Sequence, residues 1–341
     1  MKILLPEFTS GASRAGRQAR STSSMAPPLF SVAQTPRFQT YLGPVKYSNM
    51  APTVPGVTRA RNQRVVMRGI EHGPRWQDRA VELTLADGRT LEHMVFGDPR
   101  GEPVVVFHGT PATAYAGALV SDAAVAARAR LVAVSRPGYG ASSTSPPGLA
   151  STASDVVELL DALGLDRVGV HGISGGGPFA LAMAAVAPER VTRVVVSAGP
   201  SAEAEADQPG EAEAQFGGAA EQSLAEFRAR AFPSGPPPGS YLARHPDKFE
   251  VFVANLHRAV QRLDGYVRDN ASWCGPWDIE LADVTRPVRL VYGREDVMVP
   301  ATHGEWLHAR LPHAELSIRD GGHGDITFGL AGEAYEYLVG G

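Results

Sequence analysis

The sequence predicts an α/β protein in which a mostly parallel sheet carries helices on both faces. Short runs rich in β-branched and apolar residues recur near positions 104, 131, 168, 193, 288 and 314, and helical or long segments separate them. This alternation is typical of parallel strands joined by helical crossovers. Ahead of these strands, Val81–Leu85 and Leu91–Phe96 flank an Asp-Gly turn, which predicts an antiparallel hairpin.

One helix between two of these strands has recognisable ends. Ser151–Leu163 carries apolar residues at helical spacing. We expect Ser151 or Thr152 to cap its first turn, because a hydroxyl can accept a hydrogen bond from a free amide there. Gly164 is expected to end the helix, since glycine readily adopts the left-handed conformation of a helix C-terminus.

The first 66 residues differ from the rest in composition. Up to Asn62 there are eight Lys or Arg against one acid, and no apolar period persists. The apolar run Ile3–Leu5 is too short for the core of a secretory signal. We interpret residues 1–66 as a disordered or misassigned N-terminal tail, with Met50 or Met67 as the initiator. A transit peptide, which is also rich in Arg and poor in acids, is the alternative.

Whole-chain properties restrict the function classes. The chain has 341 residues, 43% of them hydrophobic, and no run approaches the roughly 18 apolar residues of a membrane span. A net charge of −4 argues against nucleic acid as a partner, and Cys274 as the one cysteine excludes an intrachain disulfide. We expect a cytoplasmic enzyme, because the lone cysteine is compatible with that compartment. We expect no metal or cofactor, because neither metal-ligand spacing nor a dinucleotide motif occurs. Composition suggests a bacterial source and leaves the oligomeric state open.

Ser174 is the strongest candidate for a chemical role. Gly172–Gly176 reads Gly-Ile-Ser-Gly-Gly and lies between the strand-like Val168–Val170 and the helical Phe179–Val186. Strand, sharp turn and helix, with glycines where a Cβ would clash, is the setting of a nucleophilic serine. A phosphate-binding turn or an ordinary loop is the alternative, because a chain with 37 glycines matches five residues easily.

Two distant segments supply what a serine nucleophile needs. Asp296 follows the predicted strand Val288–Tyr292, and His323 follows the predicted strand Ala314–Ile318. A histidine can accept the serine proton and an acid can orient the histidine. We therefore predict Ser174, Asp296 and His323 as a catalytic triad. The alternative role for Asp296 is a carboxylate that caps its own loop.

Further motifs carry a family resemblance. His108 and Gly109 follow an apolar strand, and Arg136–Ser142 resembles a Gly-x-Gly-x-Ser loop. With the order Ser, Asp, His, residues from about 78 to 341 resemble the α/β-hydrolase superfamily, and within it a capped, esterase-like serine hydrolase. The resemblance implies the α/β-hydrolase fold and an oxyanion hole formed by the backbone amides of Thr110 and Gly175. It implies a bracing role for His108.

The resemblance also sets the expected domains and the alternatives. The alternation stops after about residue 198, and we expect a helical cap at 201–283 inserted into a core of 67–200 and 284–341. Within the cap, Gln222–Phe232 and Pro246–Leu263 are predicted helices. Glu203 is the second candidate for the acid, because some relatives carry it at that strand. Many relatives have Asp at the position of Ser135, followed by a residue other than Arg.

The predicted function is that of a serine hydrolase. A serine, not an aspartate, at the nucleophile position points away from haloalkane dehalogenases and epoxide hydrolases, which attack with a carboxylate. We expect cleavage of a carboxylic ester or related acyl compound, a small-molecule substrate, through an acyl-enzyme on Ser174. The alternatives are a cofactor-free oxygenase or lyase on the same fold and a hydrolase-like binding protein without turnover.

Overall fold

A single nine-stranded sheet organises the described part of the chain. The computed structural model describes residues 66–68, 80–205 and 210–340. The strands are β1 (Val66–Arg68), β2 (Ala80–Thr84), β3 (Thr90–Gly97), β4 (Glu102–Phe107), β5 (Ala129–Val134), β6 (Val168–Ile173), β7 (Val191–Ser197), β8 (Val288–Gly293) and β9 (Ala314–Arg319). The helices are α1 (Ser121–Ala126), α2 (Leu149–Leu163), α3 (Gly177–Val186), α4 (Glu211–Phe216), α5 (Leu224–Ala231), α6 (Tyr241–Arg244), α7 (Pro246–Ala259), α8 (Asp264–Trp273), α9 (Ala301–His308) and α10 (Ala331–Val339). Within these ranges no helix is long and apolar enough to cross a membrane.

The topology confirms the predicted fold class. The strand order is β1-β2-β3-β5-β4-β6-β7-β8-β9. The pairings β1–β2, β2–β3 and β3–β5 are antiparallel, and every pairing from β5 onward is parallel. The carboxyl ends of the parallel strands therefore meet at one edge, where ligand sites of such sheets form.

Both faces of the sheet are buried. On β4, Val105 and Phe107 pack with α2 and α3, whereas Val104 and Val106 pack with α1 and α10. A strand covered on two sides needs apolar residues at every position, because successive side chains point to opposite faces. This explains the continuous apolar run that predicted β4.

The sheet begins earlier in the chain than the sequence indicates. Val66–Arg68 pairs with β2, with Met67 opposite Val81. The predicted start of the core at Met67 therefore falls inside β1, and a three-residue strand is too short to show an alternating pattern. Residues 1–65 of the predicted tail lie outside the described residues.

The prediction that Ser151 or Thr152 caps the first turn of α2 is wrong. The helix starts at Leu149, and its first two backbone amides donate to the Asp278 carboxylate at 3.0 and 3.2 Å. Ser151 and Thr152 lie inside the first turn, where both hydroxyls donate to the Gly148 carbonyl. A carboxylate from a distant segment thus stabilises the helix start, as negative charge does at this end of a helix.

The segment predicted as a cap lies between β7 and β8 and contains α4 to α8. The predicted helix Gln222–Phe232 corresponds to α5, which Ser223 and Glu226 start with a reciprocal capping box. The predicted helix Pro246–Leu263 corresponds to α7, which ends at Ala259, and α8 follows as a separate helix.

Gly164 ends α2 as predicted, with φ of 67°. There is room for a Cβ at both Gly164 and Gly332, but only Gly164 has a left-handed backbone. We expect Gly164→Ala to destabilise the protein by about 1 kcal/mol, because a Cβ is strained at this angle. Gly332→Ala, in α10, should stabilise it by up to about 1 kcal/mol. Urea unfolding of both variants measures this, and equal effects would contradict the role of the backbone angle.

His93 makes stability dependent on pH. Burial lowers the pKa of this histidine to about 4. The unfolded chain takes up a proton below about 6.5 and the folded chain does not, so stability falls as the pH drops from about 6.5 towards 4. His93→Leu should reduce the loss in unfolding free energy between pH 8 and pH 5 by about 2 kcal/mol. Urea unfolding at the two pH values tests this, and an unchanged loss in the variant would refute it.

Candidate active site

Ser174 occupies a strained turn at the carboxyl end of β6. The strand before it is buried throughout, and α3 begins three residues later. Ser174 has φ of 50°, a left-handed angle that non-glycine residues rarely adopt. Such strain occurs where a functional side chain must be held away from the strand and the helix. The side chain is partly exposed and can be reached from solvent.

The two amides predicted to form an oxyanion hole are neighbours. A Cβ on Gly175 would clash with the Thr110 side chain and would lie 3.3 Å from the Thr110 nitrogen. Glycine therefore allows the loop after β4 to approach the turn that carries Ser174. Gly109 also lies against the turn of Ser174, since a Cβ on Gly109 would lie 3.4 Å from the Ser174 Cβ.

His323 lies between Ser174 and Asp296. Its Nε2 atom is 3.0 Å from the Ser174 Oγ, and its Nδ1 atom is 2.7 Å from the Asp296 Oδ2. The Thr327 hydroxyl donates to the His323 carbonyl at 2.7 Å and fixes the turn after β9. The structure thus brings together the three side chains that the sequence places 149 and 27 residues apart.

The two oxygens of Asp296 have different partners. The Asp296 side chain is fully buried, and Oδ1 accepts hydrogen bonds from the Met298 and Val299 amides at 2.9 and 3.0 Å. These bonds fix the carboxylate in its loop, so Oδ2 faces His323. The loop-capping role and the histidine-orienting position are therefore combined in one residue.

Glu203, the second candidate acid, has partners other than His323, and so do two acids near His323 in the sequence. Glu203 is exposed and its amide donates to Ser201. Its charge acts on His303, whose pKa is lowered by burial while Glu203 opposes that shift. Near His323, Asp320 pairs with Arg294 and Asp325 pairs with Arg244.

His108 braces the loop after β4. The Arg136 amide donates to His108 Nε2 at 3.2 Å, so Nδ1 carries the proton and donates to the Gly109 carbonyl at 2.7 Å. Burial, with the neighbouring Arg136 charge, holds the pKa of His108 well below its usual range. A neutral histidine with both nitrogens engaged in this way positions the loop, as the sequence predicted.

The sequence did not identify a buried ion pair beside this loop. Arg136 and Asp269 have no exposed side-chain surface and form a salt bridge. Arg136 is visible in the sequence as a departure from the family motif. Asp269 lies on α8 in the predicted cap, and nothing in the sequence near it indicates a partner 133 residues away.

The aromatic side chains of the predicted cap pack against one another and against the core. Phe232 contacts the rings of Phe249 and Phe252, at 5.3 and 6.2 Å between centroids. Closer to the site, Tyr241 on α6 packs against Phe328 in the segment after His323. Phe252 also packs against the core, and so do Trp273 and Trp277. Among the described residues, no three His, Cys, Asp or Glu side chains converge as a metal site would need.

The chain is similar in sequence to known hydrolases. A family model for the alpha/beta hydrolase fold matches residues 102–238. A Bacillus subtilis protein named an uncharacterized hydrolase is 36% identical over 119 residues, which span 35% of this chain and 41% of that relative. The 2-hydroxy-6-oxononadienedioate/2-hydroxy-6-oxononatrienedioate hydrolase of Cupriavidus pinatubonensis is 28% identical over 253 residues, covering 69% of this chain and 86% of the relative.

A solved structure extends the similarity to the fold. The alpha/beta hydrolase fold protein from Nakamurella multipartita superposes with a TM-score of 0.60 and 26% identity, covering 77% of this chain and all of that one. Four observations indicate the same fold: the parallel sheet, the turn at Ser174, the family model and this superposition. The chain therefore has the α/β-hydrolase fold, and these similarities support a place in the α/β-hydrolase superfamily.

Proposed function

We propose that the protein is a serine hydrolase that cleaves a carboxylic ester or related acyl compound. The observation that carries the proposal is the hydrogen-bonded series from Asp296 through His323 to Ser174, at 2.7 and 3.0 Å. Nucleophile, base and orienting acid within hydrogen-bond reach are the features of nucleophilic acyl transfer. The names of the sequence relatives support hydrolysis as the reaction class.

Acylation follows from the roles of these atoms. Ser174 Oγ attacks the ester carbonyl carbon while His323 Nε2 takes the serine proton. Asp296 stays ionised and accepts a hydrogen bond from His323 Nδ1–H, which keeps Nε2 free as the proton acceptor and stabilises the imidazolium. The carbonyl oxygen becomes an oxyanion that the Thr110 and Gly175 amides stabilise. The tetrahedral intermediate collapses, and the leaving alkoxide receives the proton from His323.

Deacylation repeats these steps with water. His323 removes a proton from a water molecule, whose oxygen attacks the acyl carbon. The second tetrahedral intermediate expels Ser174 Oγ, which recovers its proton from His323. The products are a carboxylic acid and an alcohol, and the enzyme returns to its starting state.

Alternative functions would use the residues of this site differently. The hydrolysis of an oxo-dioate, named for one relative, is the second candidate for the same three side chains. A binding protein without turnover, or an oxygenase or lyase on this fold, would not form a stable acyl-enzyme on Ser174. Intact-mass analysis during turnover of p-nitrophenyl esters of increasing chain length separates these candidates.

Ser174→Ala should lower kcat on the best p-nitrophenyl ester by about a millionfold, because it removes the attacking atom. Fluorophosphonate treatment should add one phosphonyl group to the wild-type protein and none to the variant. The thermal midpoint should change little, because alanine keeps the Cβ and therefore the backbone strain at φ of 50°. An adduct on another residue, or wild-type hydrolysis by the variant, would refute the proposal.

Asp296→Asn should lower kcat by about four orders of magnitude. The Met298 and Val299 amides would bind the asparagine oxygen at the Oδ1 position and leave its NH₂ facing His323. His323 Nδ1 would then have to accept, so Nε2 would carry the proton and could not take one from Ser174.

Glu203→Gln is the matched control for that variant. Glu203 is exposed and lies near His303, so this change should leave kcat within about twofold of the wild-type value. Steady-state kinetics on one ester compares the two variants. Equal losses of kcat in both variants would contradict Asp296 as the acid of the proposed triad.

A further inference from the structure

Arg136 is a fully buried cation beside the loop that carries Thr110. Its guanidinium lies over the ring of Phe179, 4.7 Å from the centroid. A guanidinium packed on a ring directs its N–H groups outward in its own plane, so its donors can act in fixed directions.

Those donors bind consecutive groups of the loop after β4. Nη1 donates to the His108 carbonyl, and Nη2 donates to the Gly109 carbonyl at 3.3 Å. Nη2 also donates to the Thr110 hydroxyl at 2.8 Å. One side chain therefore holds three successive residues.

Hydrogen bonds to the Gly109 carbonyl orient the Thr110 amide. The two groups belong to the same peptide unit, and in a trans peptide the C=O and N–H point in opposite directions. A donor that fixes this carbonyl therefore turns the Thr110 N–H away from Arg136. His108 Nδ1 binds the same oxygen at 2.7 Å, so two side chains hold the peptide plane.

Asp269 fixes Arg136 in turn. Its Oδ1 and Oδ2 atoms are 3.1 Å from Arg136 Nε, and Oδ2 also binds Nη2. The Thr110 hydroxyl donates to the same Oδ2 at 2.7 Å. Arg136, Asp269 and Thr110 thus close a ring of hydrogen bonds. Because Asp269 lies on α8, the ring joins the predicted cap to the loop.

We propose that Arg136 and Asp269 are positioning residues that orient the Thr110 peptide as an oxyanion donor. The inference rests on the proposed serine hydrolase function. Neither residue touches the reacting atoms, and both act through the peptide between Gly109 and Thr110. A cation bonded to a carbonyl also polarises its peptide unit, which strengthens the N–H at the other end as a donor. The cap helix α8 therefore controls how well the site stabilises a tetrahedral oxyanion.

The test compares two inhibitors of matched shape. A trifluoromethyl ketone reacts with the serine: a bond forms between Ser174 Oγ and the carbonyl carbon, the carbonyl becomes an oxyanion, and the proton passes to His323. The corresponding methyl ketone is attacked far less readily and reports ordinary binding. The ratio of the two inhibition constants therefore measures oxyanion stabilisation separately from pocket binding.

Asp269→Asn is the first variant, because it keeps the shape and removes the charge that locates Arg136. Loss of a whole oxyanion donor lowers kcat by about 100- to 1,000-fold in serine hydrolases. For a displaced donor we expect a fall of about 10- to 100-fold in kcat, with KM within about threefold of the wild-type value. The inhibitor ratio should fall by a similar factor.

Arg136→Lys is the second variant and covers the case in which Asp269→Asn does not fold. The ammonium keeps the charge opposite Asp269 but lacks the planar fork that reaches adjacent carbonyls. We expect the same fall in the inhibitor ratio. Circular dichroism and the thermal midpoint confirm that each compared variant is folded.

Arg258→Gln is the matched control. Arg258 on α7 forms another ion pair between the predicted cap and the core, with Glu92 at 2.5 Å, and this pair includes no residue of the loop that carries Thr110. This variant should lose stability but keep the wild-type inhibitor ratio. A wild-type ratio in folded Asp269→Asn or Arg136→Lys, or an equal fall in Arg258→Gln, would overturn the inference. A wild-type protein without a Ser174 adduct after fluorophosphonate treatment would instead overturn the proposed function.

Discussion

Backbone contact between the end of β4 and the turn after β6 sets the geometry of the site. A Cβ on Gly176 would clash with the Phe107 carbonyl, and one on Gly172 would lie 2.7 Å from the Gly176 carbonyl. Glycines let these main chains touch, and the contact places the turn of Ser174 against the loop of Thr110. The strained angle of Ser174 costs on the order of 1–3 kcal/mol and persists because a buried strand and a buried helix fix both of its ends.

The predicted cap is joined to the core through buried polar groups as well as apolar packing. Two such links are fully buried, Arg136 with Asp269 and Thr113 with Asn255, and in a third the buried Glu92 pairs with the half-buried Arg258. Separating a buried ion pair leaves a charge without a partner, which is more costly than separating apolar surfaces. Moving α7 or α8 away from the core would break these links, so the links hold both helices in place. Two of the helices that cover the core are thereby coupled to the loops at the carboxyl edge of the sheet.

The differences between prediction and structure have one physical origin. The strands of the parallel sheet were predictable because burial on both faces demands apolar runs, and each run is a local pattern. The start of α2 was mispredicted because its capping carboxylate, Asp278, is 129 residues away from Leu149. β1 has only three residues, so its pairing with β2 depends on a partner and not on a pattern of its own.

The sequence by itself determined the fold class, the turn at Ser174 and the order in which Ser174, Asp296 and His323 follow their strands. These are local properties of apolar runs, glycines and strand ends. Only the tertiary structure decided between Asp296 and Glu203 as the acid that faces His323, since both follow a strand of the sheet and differ in where the fold places them. It alone decided the pairing of Arg136 with Asp269, because a buried charge takes as its partner whichever opposite charge the packing of a distant helix brings within reach.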